Sequence, residues 1–168
     1  MNLVDACAFS LNGRMFIIGG SSAQNASYYN FEIVMEDTNS YNILQRQNLN
    51  FEFPRGNCLS YTDSDALVCS AAVYEGTENF GRECYHFNGE NYRLTGYTKY
   101  GHNRGAMVTY LDSVHILGGK GVLPDKKEAT SNLILEYFYK YTEDEKVYGG
   151  WKIRDGTNFG LRKGRFIT

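Results

Sequence analysis

The chain has 168 residues, 42% of them hydrophobic and 15% aromatic, with two prolines, four cysteines and a net charge of −2. These figures exclude a disordered or collagen-like chain and leave enough apolar material for one sizeable core. They also speak against nucleic acid as a partner, since phosphate-binding surfaces carry a basic field. No apolar run reaches the roughly eighteen residues that cross a bilayer, so no membrane is expected as a partner. The opening MNLVDACAFSLNGRMFIIGG lacks the basic start and unbroken apolar stretch of a signal peptide, and both a cytoplasmic and a secreted setting stay open.

Fourteen tyrosines and ten phenylalanines favour strands over helices, because flat side chains suit a pleated surface. In chain order, ACAFSLNGRMFIIGG (6–20) predicts two strands about a polar turn, ended by Gly19 and Gly20. YYNFEIV (28–34) predicts a third strand, MEDTNS a turn, and YNILQ from Tyr41 a fourth. RGNCLSYTDSDALVCSAA (55–72) repeats the first pair, with Ser70 and Ala71 where the glycines stand, and RECYHFNG (82–89) and YRLTGY from Tyr92 follow. AMVTYLDSVHILGG (106–119) opens a third pass, ending on Gly118 and Gly119, 99 residues after the first pair. LILEYFYKY (133–141), the turn TEDEK and WKI from Trp151 complete it, and 120–131 reads as a polar loop with room for a short helical turn. The arginines preceding the second and third passes, Arg55 and Arg104, lie 49 residues apart.

A period near fifty residues with four strands per unit suits the blades of a β-propeller. The units are approximately 1–53, 54–102 and 103–158, with the start of a further unit at 159–168. The expected fold is all-β, a partial propeller of about three four-stranded antiparallel blades in one domain over 1–168. Twelve principal strands are expected, with Phe9, Ile17, Leu59, Val108, Ile116, Tyr137 and Trp151 buried. A ring of this kind closes with roughly four to eight blades, so missing blades of a longer protein, or a second copy, are expected to complete it.

An arginine, an apolar strand, a second strand ended by two glycines, then a spaced tyrosine and tryptophan form the recurring pattern. Its best copy runs from Arg104 through Gly118 and Gly119 to Tyr137 and Trp151. The first unit has Tyr41 in place of the tryptophan, and the second keeps Tyr92 there but lacks both glycines. In this the chain resembles the kelch family of β-propellers. The resemblance implies that each first strand lines a central channel, where arginines at the mouth grip acidic peptides. Arg55, Arg104 and Arg162 hold that place here, with Arg165 as an alternative to the last, and His102 and Asn103 lie on the same rim. An arginine so placed also serves to satisfy carbonyls of the next blade, and the two roles stay open. The turns Asn12 to Arg14, Asp63 to Asp65 and Asp112 to Ser113 line either the same rim or the opposite one.

Cys69 ends a second strand and Cys84 sits in the third strand beside it, a placement that permits either a disulfide or two buried thiols. Cys7 and Cys58 occupy nearly equivalent first-strand positions and are expected as core thiols. Asn25, in Asn25-Ala26-Ser27, is the one glycosylation sequon, of consequence only in a secreted protein. His86, His102 and His115 are scattered, so no metal is expected, and no phosphate loop, nucleophile motif or cofactor signature appears. His86 and Cys84 share one side of a strand, which is two ligands and not a site. The acidic TEDEK and basic RKGR (162–165) are expected as solvated surface.

The expected function is a non-enzymatic binding module that takes a protein or peptide, an acidic one in the kelch manner, through its loop ends. The alternatives are a secreted, disulfide-bearing recognition or matrix propeller, with glycans among its ligands, and a non-catalytic piece of a propeller enzyme.

Overall fold

The computed structural model describes residues 4–21, 29–49, 53, 56–69, 82–111, 113–122, 128–130, 135–143 and 146–153. Among these residues there are fourteen strands and no helix. The first sheet is β1 (Val4–Leu11), β2 (Arg14–Ser21), β3 (Asn30–Met35) and β4 (Tyr41–Gln45), in that order. The second is β5 (Asn57–Ser60), β6 (Ala66–Cys69), β7 (Glu83–Phe87) and β8 (Tyr92–Tyr97), again in chain order. The third joins β9 (Ala106–Tyr110), β10 (Ser113–Leu117), β13 (Leu135–Glu143) and β14 (Lys146–Ile153). All pairings within these three sheets are antiparallel, as hairpin-connected strands must be. Strand β1 touches β5, and β5 touches β9, so the three sheets meet along their first strands.

Two details depart from the sequence-based expectation. Between β10 and β13 lies a separate two-stranded pair, β11 (Lys120–Val122) with β12 (Glu128–Thr130), where a polar loop was expected. The last hairpin is also longer: β14 begins at Lys146, opposite Glu143, so most of TEDEK belongs to strands. Threonine, valine and tyrosine around that turn are strand formers, and they carry the ladder through its charges.

The core has two parts, one in each gap between sheets. Phe9, Leu11, Phe16 and Ile18 of the first sheet pack on Ala66, Val68 and Phe87 of the second. Phe9, Phe16 and Phe87 form a ring triad with centroids 5.1 to 5.8 Å apart, stacked once and edge-on twice, as aromatic quadrupoles prefer. In the other gap, Leu67, Cys69 and Cys84 meet Val114, Ile116 and Phe138, with Trp151 against Phe138.

Of the expected core residues, Phe9 and Ile116 are buried, while Leu59 and Trp151 are half-buried at the cluster edge. The side chain of Tyr137 lies outside the described set. Ile17 is only half-buried, because its neighbours Phe16 and Ile18 take the inward face and a strand alternates. Val108 is 45% exposed. It matches Phe9 and Leu59 in register, since the cross-strand pairs are Phe9–Phe16, Leu59–Leu67 and Val108–His115. Phe9 and Leu59 each have a following sheet to pack against. Val108 does not.

Glu32 is the buried charge of the first sheet. Its Oε1 accepts from Arg14 Nε at 2.6 Å and its Oε2 from Arg46 Nε at 2.5 Å, while Arg14 lies over the Phe16 ring. The Arg14 hydrogen bond, with Arg46 adding to it, holds the Glu32 carboxyl below its ordinary value of 4.5 despite burial. A depressed carboxylate contributes stability that is complete above its ordinary value and is lost as pH falls through the folded one. Thermal melts from pH 6 downward should therefore fall through this window in the wild type. Glu32→Ala should lose about 2 kcal/mol at neutral pH, less than a fully buried pair because both guanidinium groups reach solvent. It should also flatten the acid limb, and an unchanged acid limb would count against the clamp.

Candidate functional site

The first strands have two ends, and the structure separates what the sequence left ambiguous. Arg104, at the entry of β9, stands at one end, and the turns after β1 and β5 stand at the other. Arg104 has a half-exposed guanidinium with Nη2 3.2 Å from Asp5 Oδ2, which ties the entry of the third sheet to that of the first. Arg55, Arg162 and Asn25 lie outside the described residues.

His102 and Asn103 do not offer side chains to a partner at this end. His102 is fully buried and its Nδ1 donates to the Gly118 carbonyl at 2.7 Å. Its own carbonyl accepts from the Gly105 amide and from Asn57 Nδ2, both at 2.7 Å. Asn103 is buried beside it. A buried carbonyl needs partners, and this one is shared between the second and third sheets. The residues read as rim contacts are therefore a joint between sheets.

The glycine pairs serve that joint. Gly119, at φ +88°, would place a Cβ 2.5 Å from the His102 carbonyl oxygen, so a side chain here would collide with the incoming chain. Gly20 donates its N–H to the Phe53 carbonyl at 2.9 Å, and a Cβ on Gly19 would overlap Phe53 itself. Each pair lets a chain segment lie directly against strand backbone.

At the opposite end, Asn12 and Gly13 both have left-handed φ, 51° and 71°, the two-residue turn that matches strand twist. The second-sheet turn is built on Asp65. Its carboxylate accepts from Thr62 Oγ1 at 2.9 Å and Ser64 Oγ at 3.2 Å and meets His86 Nε2 at 2.5 Å. Burial pushes the Asp65 carboxyl upward, but the His86 and Thr62 hydrogen bonds outweigh it and hold the group below its ordinary value.

Three links hold β1 and its turn against β5 and its turn. The Asn12 N–H donates to the Asp63 carbonyl at 2.7 Å, Ser60 Oγ donates to the Ser10 carbonyl, and Cys7 is disulfide-bonded to Cys58 with Cα atoms 6.0 Å apart. Each link joins residues 50 or 51 positions apart, one repeat. Cys7 and Cys58 are thus not the core thiols expected. Cys7 pairs with Ile18, whereas Cys58 pairs with Val68. The register counterpart of Cys7 is Asn57, so the two cysteines lie one residue out of phase. Alternation then points one toward the second sheet and the other back toward the first. Cys69 and Cys84 are cross-strand partners with Cα atoms 4.1 Å apart and form the second disulfide, so no cysteine is free.

Between the locked turns lies an open cleft of about 560 Å³. Ser10, Leu11, Asn12 and Gly13 form one wall and Ser60, Tyr61, Thr62 and Asp63 the other. The Tyr61 hydroxyl is pushed up to about 12, by burial first and the Asp65 charge second, and stays protonated at neutral pH. The lining offers hydroxyls, amides, main-chain groups and the exposed Asp63 carboxylate, and contains no cationic side chain. It suits a ligand rich in hydrogen-bond donors or carrying positive charge. Sequence reasoning placed both turns on a rim but missed the cysteine phase and the Asp65–His86 pair. Strict register counting would have exposed the first, while nothing local marks the second, whose members sit on different strands.

Among the described residues no three His, Cys, Asp or Glu side chains gather closely enough to hold a metal ion.

No protein-family model matches the chain, and no curated protein matches it. Among solved structures it is similar to one titled "Structure of YjhT", with 14% identity and a TM-score of 0.61. The similarity covers 89% of this chain and 46% of that one, so the chain spans less than half of that structure's length. At such identity the likeness is one of fold, an all-β protein of antiparallel four-stranded sheets.

Proposed function

We propose that the three sheets are blades of a kelch-like β-propeller and that the chain is a non-enzymatic binding module. It captures a short segment of another protein in the cleft between the β1–β2 and β5–β6 turns. The observation that carries this reading is that two hydrogen bonds join the cleft walls and a disulfide joins the strands that lead into them. A rigid site loses little entropy on binding, and loop ends held by sheets are where such proteins recognise partners. The chemistry of the walls favours a segment bearing lysine, arginine or unpaired amides. The acidic peptide implied by the arginines belongs to the other end, where Arg104 already has Asp5 as a partner.

Panning a displayed random-peptide library on the chain tests this. Enriched peptides should bind Asp63→Arg at least about tenfold more weakly, as reversing one charge in a small site implies, while Arg104→Ala binds them unchanged. Equal binding to wild type and Asp63→Arg, or no enrichment, would sink the cleft as the site. The disulfides support a second element of this reading: with all four cysteines paired, the module works in an oxidising compartment. Intact mass measured on the non-reduced protein should show four hydrogens missing, two for each disulfide. Four free thiols would reverse that placement.

A further inference from the structure

We propose that the outer face of the first sheet is a docking surface for the third sheet of a second copy of this chain, the contact being made twice about a two-fold axis. The proposal rests on the propeller reading.

The argument is one of register. Each interface inside the chain joins two different faces. The leading face carries Phe9 and Phe16 in the first sheet and Leu59 and Leu67 in the second. The trailing face carries Val68 and Phe87 in the second sheet and Ile116 and Phe138 in the third. Leading meets trailing in both gaps, and in the first gap the Phe9 and Phe87 rings touch with centroids 5.8 Å apart.

Among the described residues two faces are left over. The third sheet's other face is a leading one, with Val108 where the others have Phe9 and Leu59, and with Tyr110, 53% exposed, set edge-on to the buried His115. The first sheet's unused face is a trailing one. Ile17 pairs with Phe31 and Met15 with Ile33, just as Val68 pairs with Tyr85 and Ala66 with Phe87. Ile33 in turn pairs with Ile43, so an apolar row crosses the sheet, and Met15, Met35, Tyr41 and Ile43 are 48 to 62% exposed.

An exposed patch of this kind on a soluble protein marks an interaction surface. The chain itself supplies the occupant, because the complementary half of the same interface is the other face that the described residues leave exposed. Leading and trailing faces on one molecule pair head to tail, and two copies satisfy both contacts when the rotation closes. Six sheets lie within the range that closes a propeller.

Light scattering on a sizing column tests the docking. The wild type should have twice the 19.1 kDa mass of the chain. Val108→Asp on one face and Ile33→Lys on the other should each give a monomer, with dissociation constants raised about tenfold or more. Ile43→Lys is the second trailing-face variant, at a position 57% exposed where folding is not at stake. Because Val108 and Ile33 take the places of Phe9 and Phe87, mixing Val108→Asp with Ile33→Lys should restore the dimer through the new charge pair. A wild type at 19.1 kDa, or a dimer that no face variant weakens, overturns the proposal. A monomer whose peptide capture is still lost in Asp63→Arg overturns the docking alone and leaves the binding module standing.

Discussion

The double variant Cys7→Ser, Cys58→Ser is expected to lose about 4 kcal/mol of unfolding free energy, and Cys69→Ala, Cys84→Ala about 3. The ranking follows from loop closure, since the first disulfide spans 51 residues and the second 15. It runs against burial, because Cys69 and Cys84 are wholly buried while Cys7 and Cys58 are only half so. Both losses together approach the whole stability of a domain this size, about 5–15 kcal/mol, so a reductant should unfold the protein at modest temperature. Urea titrations of the three forms decide the matter. The midpoints should fall in the order given, and the m-values should rise as the unfolded chain is freed of its cross-links. A larger loss at Cys69 and Cys84 would mean that packing, and not chain entropy, sets the contribution.

Gly119→Ala should cost about 3 kcal/mol or more, and Gly118→Ala only about 1. Both glycines have left-handed backbones, φ +67° and +88°, so alanine pays the same conformational penalty at each. The difference is space. An added Cβ at Gly118 meets nothing within 4 Å, whereas at Gly119 it lies 2.5 Å from the His102 carbonyl oxygen. Moving that carbonyl disturbs its bonds to the Gly105 amide and Asn57 Nδ2, each of which contributes roughly 1 kcal/mol. Chemical denaturation of the two single variants measures the contrast directly. Equal losses would show that the backbone conformation alone explains the pair and that the joint at His102 gives way freely.

The strands and their hairpin order were legible because tyrosine, phenylalanine and valine alternate with polar residues between glycine- or asparagine-bearing turns. YNILQ and YRLTGY match β4 and β8 at both ends. What escaped is mostly a matter of phase. Reading Ile17 as core in place of Phe16 and Ile18 is a slip of one residue, and in a strand one residue is the other face. The same slip hid the Cys7–Cys58 bond, since apparent equivalence of position suggested equivalence of environment. His102 was misjudged for another reason. Its neighbour Arg104 is exposed, but the role of His102 is set by Gly118 and Asn57, 16 and 45 residues away, which no local pattern reveals. The cleft was half visible: both turns stood out as polar, while their approach to one another depends on how the sheets meet.

The Cys7–Cys58 bond also has a mechanical consequence. When the chain is pulled from its two ends, the load crosses from Cys7 to Cys58 through sulfur and never enters β2, β3 or β4. Cys69–Cys84 makes a second shortcut around the 15-residue segment that follows. The first repeat is thereby removed from the force path, withholding roughly 170 Å of extensible chain at about 3.4 Å per residue. A force trace of the oxidised protein would fall short of the full contour length by this amount and by roughly 50 Å more behind Cys69–Cys84, and a reductant would restore both.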